Sequence, residues 1–116
     1  MRVVKDNWRI SVYKIDPKRI CSTEDAAEQR TEILSVVLDS IKQVLDIENG
    51  YKLRFSPSEE DLILVNDWLY LERKCNAFLR FHLSIESNQG PVWLEASGPA
   101  GTKNFLETEL GLSRWL

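Results

Sequence analysis

The stretch Phe78-Leu79-Arg80-Phe81-His82-Leu83-Ser84-Ile85-Glu86, followed by Ser87-Asn88-Gln89-Gly90 and then Pro91-Val92-Trp93-Leu94-Glu95-Ala96, decides the fold class. Leu79, Phe81, Leu83 and Ile85 alternate with Arg80, His82, Ser84 and Glu86, the period of two expected of a strand with one buried face. Ser87 to Gly90 is turn chemistry. Val92, Leu94 and Ala96 then repeat the alternation, which predicts a hairpin with both apolar rows on one side. Gly98-Pro99 opens a last helix reaching about Leu110. Gly111 ends it, with Leu112 placed to pack back on it.

Upstream of the hairpin lies a helix from Ser56-Pro57-Ser58-Glu59, read as a capping box with proline at the first helical position, to about Cys75. Glu59, Glu60 and Asp61 at its start and Arg73 and Lys74 at its end suit the helix dipole. Its apolar face is Leu64, Val65, Trp68, Leu71 and Cys75. Tyr51, Leu53 and Phe55 form a short strand before it. Ser22-Thr23-Glu24-Asp25 caps a long helix running to about Ile47 and ending before Asn49-Gly50. On that helix Ile33, Val37, Ile41 and Val44 centre an apolar arc roughly 200° wide, against the little more than 100° that a helix lying on one surface needs. Burial on two sides is therefore expected, with another helix or a partner subunit on the second. Trp8, Ile10 and Val12 alternate with Arg9, Ser11 and Tyr13, a further strand pattern that Asp16-Pro17 breaks.

The predicted order is β?-α-β-α-β-β-α, an α+β fold. A small mixed or antiparallel sheet, partly parallel and closed by the C-terminal hairpin, carries its helices on one face. The other face holds Arg80, His82, Ser84 and Glu86 and is wet unless a second subunit covers it.

The chain has 116 residues, 43% hydrophobic and 28% charged, which suits one globular domain and excludes collagen-like and disordered classes. The net charge of −3 hides a division. Residues 1–20 hold six Lys/Arg and two Asp/Glu, and residues 21–116 hold nine and sixteen, so +4 and −7 sum to −3. The expected layout is a basic segment, 1–20, that serves as an added strand, and one α+β domain, 21–116. Without a clustered basic face, a nucleic-acid partner is not expected. No apolar run is long enough to cross a membrane. No secretory leader is read at Met1-Arg2-Val3-Val4-Lys5, so a cytoplasmic chain with reduced thiols is expected.

Glu72 falls about 40° from Trp68 on the helical wheel, inside the apolar arc. A carboxylate there must be paired, hydrogen-bonded or protonated, so Glu72 with Cys75 is a candidate ligand or thiol site for a small ligand, a soft metal or a redox change. Cys21, just before a helix start, belongs to the same candidate set. With one strand between them the two long helices run parallel, which sets Cys21 and Cys75 about 27 Å apart and rules out a disulfide. The same argument pairs Arg30, which intrudes on the apolar arc of the first helix, with Asp61. Two cysteines and one histidine make no closed zinc site, and neither a metal nor a cofactor is expected. Gly98-Pro99-Ala100-Gly101-Thr102-Lys103 lacks the residue order of a nucleotide phosphate loop, leaving Gly101, Thr102 and Lys103 as a candidate anion site at a helix start. His82, the single histidine, reads as a solvated strand residue.

Four segments taken together resemble a family of small uncharacterised bacterial proteins over about residues 20–112. They are Ile20-Cys21-Ser22-Thr23, Leu71-Glu72-Arg73-Lys74-Cys75-Asn76-Ala77-Phe78-Leu79-Arg80-Phe81, Gly90-Pro91-Val92-Trp93-Leu94 and Gly98-Pro99-Ala100-Gly101-Thr102-Lys103-Asn104-Phe105-Leu106. The resemblance implies a compact bacterial domain and carries no established activity. Relatives often have a second cysteine directly after the first; Asn76 stands there in this chain. The reading for function is a non-catalytic binding or self-association module, most simply a homodimer. The alternative is the Glu72 and Cys75 site.

Overall fold

The computed structural model describes residues 24–116. The predicted strand at 8–15, the cap at Ser22-Thr23, and Cys21 lie outside the described residues. Three helices, α1 (Glu24–Ser40), α2 (Glu59–Cys75) and α3 (Thr102–Leu110), accompany four strands, β1 (Gln43–Ile47), β2 (Gly50–Phe55), β3 (Arg80–Ile85) and β4 (Val92–Ser97). The architecture is α+β. The sheet order is β1-β2-β4-β3 and every pair is antiparallel, so the expected parallel pair is absent among the described strands.

That difference has one cause. The predicted first helix runs to Ile47, whereas α1 stops at Ser40 and Gln43–Ile47 is a strand. Asn49-Gly50, read as a helix stop, is the corner of a hairpin: Asn49 takes a left-handed φ of 57° and Ile47 pairs with Gly50. Asparagine tolerates that conformation, and Asn-Gly is a strong hairpin signal. The extra strand adds one reversal of the chain between α1 and α2. The two helices therefore run antiparallel rather than parallel.

α2 begins as its charges predict. Ser58 is the cap, its hydroxyl accepting from the Asp61 backbone N–H at 3.1 Å, so Pro57 precedes the helix instead of opening it. The Asp61 carboxylate accepts from the Ser56 N–H and hydroxyl, which corrects the expected Arg30–Asp61 pair. Leu64, Val65, Trp68 and Leu71 are buried as expected. α3 starts four residues later than predicted, at Thr102, and ends on Gly111 in the left-handed region, with Leu112 fully buried.

One core joins all three helices to one face of the sheet. It contains Ile33 and Val37 of α1, Leu53 and Phe55 of β2, Trp68 of α2, Val92 and Leu94 of β4, and Leu106 of α3. The wide apolar arc of the first helix is met within the chain: Ile33, Leu34 and Val37 are buried in the common core, with α1 packed on α2, while Val36 stays exposed. Among the described residues no helix covers the other sheet face and no helix is long and apolar enough to cross a membrane.

At the β3–β4 turn Asn88 and Gln89 both have φ of 57°, and the Gly90 N–H donates to the Ser87 carbonyl at 3.0 Å. This turn prefers glycine at its second central position. Gln89→Gly is expected to raise stability by roughly 0.5 kcal/mol, the left-handed cost of a non-glycine residue less the entropy that glycine adds to the unfolded chain. A urea midpoint unchanged or lowered by the substitution would contradict that.

Candidate functional site

Glu72 is the most deeply buried charge among the described residues, 1% exposed. Helical spacing builds its surroundings. Trp68 lies one turn before it and Asn76 one turn after, so all three share a line on α2. The Trp68 indole N–H donates to Glu72 Oε1 at 2.9 Å and the Asn76 amide donates to Oε2 at 2.5 Å. From α1, Arg30 adds a two-pronged contact, Nε to Oε1 at 3.2 Å and Nη2 to Oε2 at 2.9 Å. Each carboxylate oxygen thus accepts two hydrogen bonds. Arg30 reaches a third element through Nη1, which bonds Glu109 of α3 at 3.1 Å.

The antiparallel helices explain why the partner is Glu72 and not Asp61. Arg30 sits toward the start of α1, and that end lies beside the end of α2. Burial alone would lower the Arg30 pKa. The hydrogen bonds and charge of Glu72, and then those of Glu109, outweigh it and hold the pKa above the ordinary arginine value. The guanidinium therefore stays charged, and the cluster is a two-carboxylate, one-cation knot tying three helices.

Cys75 follows in the last turn of α2. It is half-buried and held in a disulfide, and no free cysteine occurs among the described residues. The sequence has one other cysteine, Cys21, outside the described residues. The expectation of a reduced Cys75 rested on a cytoplasmic chain, and the exclusion of a disulfide on parallel helices. Antiparallel helices set the start of α1 beside the end of α2, so the argument from distance no longer holds.

The candidate anion site looks different in three dimensions. Gly101 caps α3 in the left-handed region with φ of 97°. Thr102 is buried, and its hydroxyl, without a hydrogen-bond partner among the described residues, lies against Gly98: a Cβ on Gly98 would come within 2.6 Å of it. Lys103 points to the sheet, ion-paired with Asp46 of β1 and 5.5 Å from the centre of the Tyr51 ring. The three residues are contiguous, but their side chains do not converge. No group of three or more potential metal-ligating side chains gathers among the described residues. His82 is exposed on β3, opposite Glu95.

Sequence reasoning singled out Glu72 but missed its donors. The Trp68-x-x-x-Glu72-x-x-x-Asn76 spacing was the available signal, since each member is one turn from the next. Glu109, six residues after Lys103, carried no such signal.

A second polar contact is a buried tyrosine. The Tyr51 hydroxyl of β2 donates to Glu107 of α3. The hydrogen bond to that carboxylate, then burial, then the Glu107 and Asp46 charges push the tyrosine up to about 12. The folded state thus keeps the phenolic proton longer than the unfolded chain, whose tyrosines ionise near 10. This contribution to stability is intact below pH 10 and is lost as pH rises from there through 12. Absorbance titration should find a tyrosine that ionises late, and Tyr51→Phe should remove it. Uniform titration near pH 10 would contradict the contact.

No protein-family model, curated protein or solved structure matches the chain.

Proposed function

We propose that the chain is a non-catalytic binding module that pairs with a second copy of itself through the open sheet face. The observation supporting this is the composition of that face. Trp93 stands at its middle, half-buried, with the Lys52 ammonium 5.0 Å from its ring centre. Around it lie Leu45, Arg54, Glu95, Arg80 and His82 in cross-strand rows. A face with a central tryptophan and both signs of charge can be self-complementary, as a two-fold interface requires. The titratable groups elsewhere favour the same reading. Each oxygen of Glu72 already accepts two hydrogen bonds, so a substrate would have to displace a donor to reach it.

Size-exclusion with light scattering tests the proposal. Twice the 13.5 kDa chain mass is expected at micromolar concentration, and Trp93→Glu is expected to return the chain to a monomer. A clean wild-type monomer overturns the reading.

A second reading, a redox-responsive site at Cys75 and Glu72, draws on the disulfide. Cys75 stands next to Asn76, whose amide bonds Glu72, so reduction would act on the end of the helix that holds the cluster. The reduction potential decides: a value near that of the cellular glutathione pool supports a responsive site, and one far below it supports a structural staple. Residence in the cytoplasm is part of the same question, since persistent disulfides are rare there. Alkylation of cell extracts before and after reduction would show which form of Cys75 the cell holds.

A further inference from the structure

We infer that self-association through the open sheet face is weakened by protonation of His82. The inference rests on the pairing proposed above and adds its regulation. The chain has one histidine, and histidine is the side chain whose charge ordinarily changes between pH 5 and 8. Strand register places this one on the face where the second copy is proposed to sit. His82 pairs with Glu95 of β4, and Glu95 pairs in turn with Lys52 of β2, so the three stand side by side in one cross-strand row. His82 is exposed and Glu95 is half-buried.

On β3 itself Arg80 and Ser84 lie two residues to either side of His82 on the same face, and Glu86 follows, accepting from the Ser84 hydroxyl at 3.4 Å. On β4 Glu95 is directly opposite, with Trp93 and Ser97 as diagonal neighbours. On β2 Lys52 stands over the Trp93 ring, and Arg54 donates to Gln43 of β1 at 3.0 Å. The described strands thus give the face three permanent cations, Lys52, Arg54 and Arg80, against two carboxylates, Glu95 and Glu86. Residues 21–116 as a whole hold nine Lys/Arg and sixteen Asp/Glu, so the small cation excess of this face is a product of strand pairing and not of composition.

A two-fold pairing sets this face against its own copy. Each copy's cations then need the other copy's carboxylates, and Glu95 is the carboxylate that stands on a central strand. It takes no part in the ion pairs of the described residues, which join Arg30 to Glu72 and Glu109 and Lys103 to Asp46. Protonation of His82 acts on the pair in two ways. It adds a cation to each of two facing surfaces that already carry an excess of cations, and like charges brought together across an interface cost affinity. It also sets an imidazolium directly opposite Glu95 within one sheet, at the spacing of a cross-strand pair. There it competes with the second copy's cations for that carboxylate. Both effects have the same sign, so association weakens as pH falls through the histidine range.

Sedimentation equilibrium of the full chain at about pH 8 and about pH 6 tests this, both values lying above the range in which carboxylates ordinarily titrate. At low salt the dissociation constant of the dimer should rise at least about threefold from the higher pH to the lower. His82→Gln, uncharged at both, should keep the tighter constant at both. His82→Lys, charged at both, should show the weaker constant at both. The position is exposed, so neither substitution touches the core. A dimer equally tight at the two pH values, or tighter at pH 6, overturns the inference and leaves self-association in place. So does a His82→Gln variant that still weakens at pH 6. A monomer at both pH values overturns self-association itself, and this inference with it.

Discussion

Glu72→Ala is expected to lower folding stability by about 3–5 kcal/mol, the usual cost of breaking a buried ion pair by removing one partner. The substitution leaves the Trp68 indole N–H with no acceptor at a position that water does not reach, since Trp68 is 0% exposed. It also leaves the Arg30 guanidinium with Glu109 alone, on the more exposed side of the cluster. Replacing both members, Arg30→Met with Glu72→Met, should cost much less than Glu72→Ala, because no charge then remains buried and unmatched. Urea unfolding of the three proteins gives the comparison. A Glu72→Ala loss below about 1 kcal/mol, the size of an exposed pair, would mean that the cluster does not hold the helices together and would return weight to a functional role for the carboxylate.

Gly50→Ala is the second large effect. A Cβ at this position would sit 2.0 Å from the Ala96 carbonyl oxygen and 2.8 Å from the Ser97 Cα, both backbone atoms of the neighbouring strand. Neither can rotate away as a side chain could, so β2 and β4 must separate at the end where the first hairpin joins the sheet. Overpacking of this kind reaches about 3 kcal/mol or more. The loss should appear both in the urea midpoint and in faster amide exchange along Gly50–Phe55. A variant as stable as the parent would show that the two strands can part at this point without cost.

The sequence made the period-two runs around residues 78–96 and 51–55 easy to read, and the charges at both ends of α2 located it almost to the residue. It misled at 41–47. Ile41 and Val44 continue the helical spacing of Ile33 and Val37, so a helix and a strand fit the same apolar positions there, and the hairpin that settles the matter depends on Gly50 closing on Ala96 and Ser97 far along the chain. That single strand then changed every conclusion about level. With parallel helices Arg30 belongs with Asp61 and Cys75 stands far from Cys21; with antiparallel ones Arg30 meets Glu72. Glu72 itself was legible as a misfit, because a carboxylate inside an apolar arc demands partners whatever the topology. Which partners it has depends on how the helices are arranged, and periodicity along one element carries no information about that. The exposure of Leu83 and Ile85 was likewise hidden, since alternation shows which face a residue takes but not whether its strand lies at the centre or the edge.

The strand order β1-β2-β4-β3 has a consequence for synthesis. β4 is the last of the described strands in chain order, yet it lies inside the sheet, between β2 and β3. Until residues 92–97 have emerged, neither the first hairpin on its inner side nor β3 has a neighbour among the described strands. A nascent chain ending before them can form helices and one isolated hairpin, which alone is marginal in water, but not the layer on which the helices rest. The sheet therefore assembles as a whole, only once β4 is available, and the six residues of β4 are its keystone.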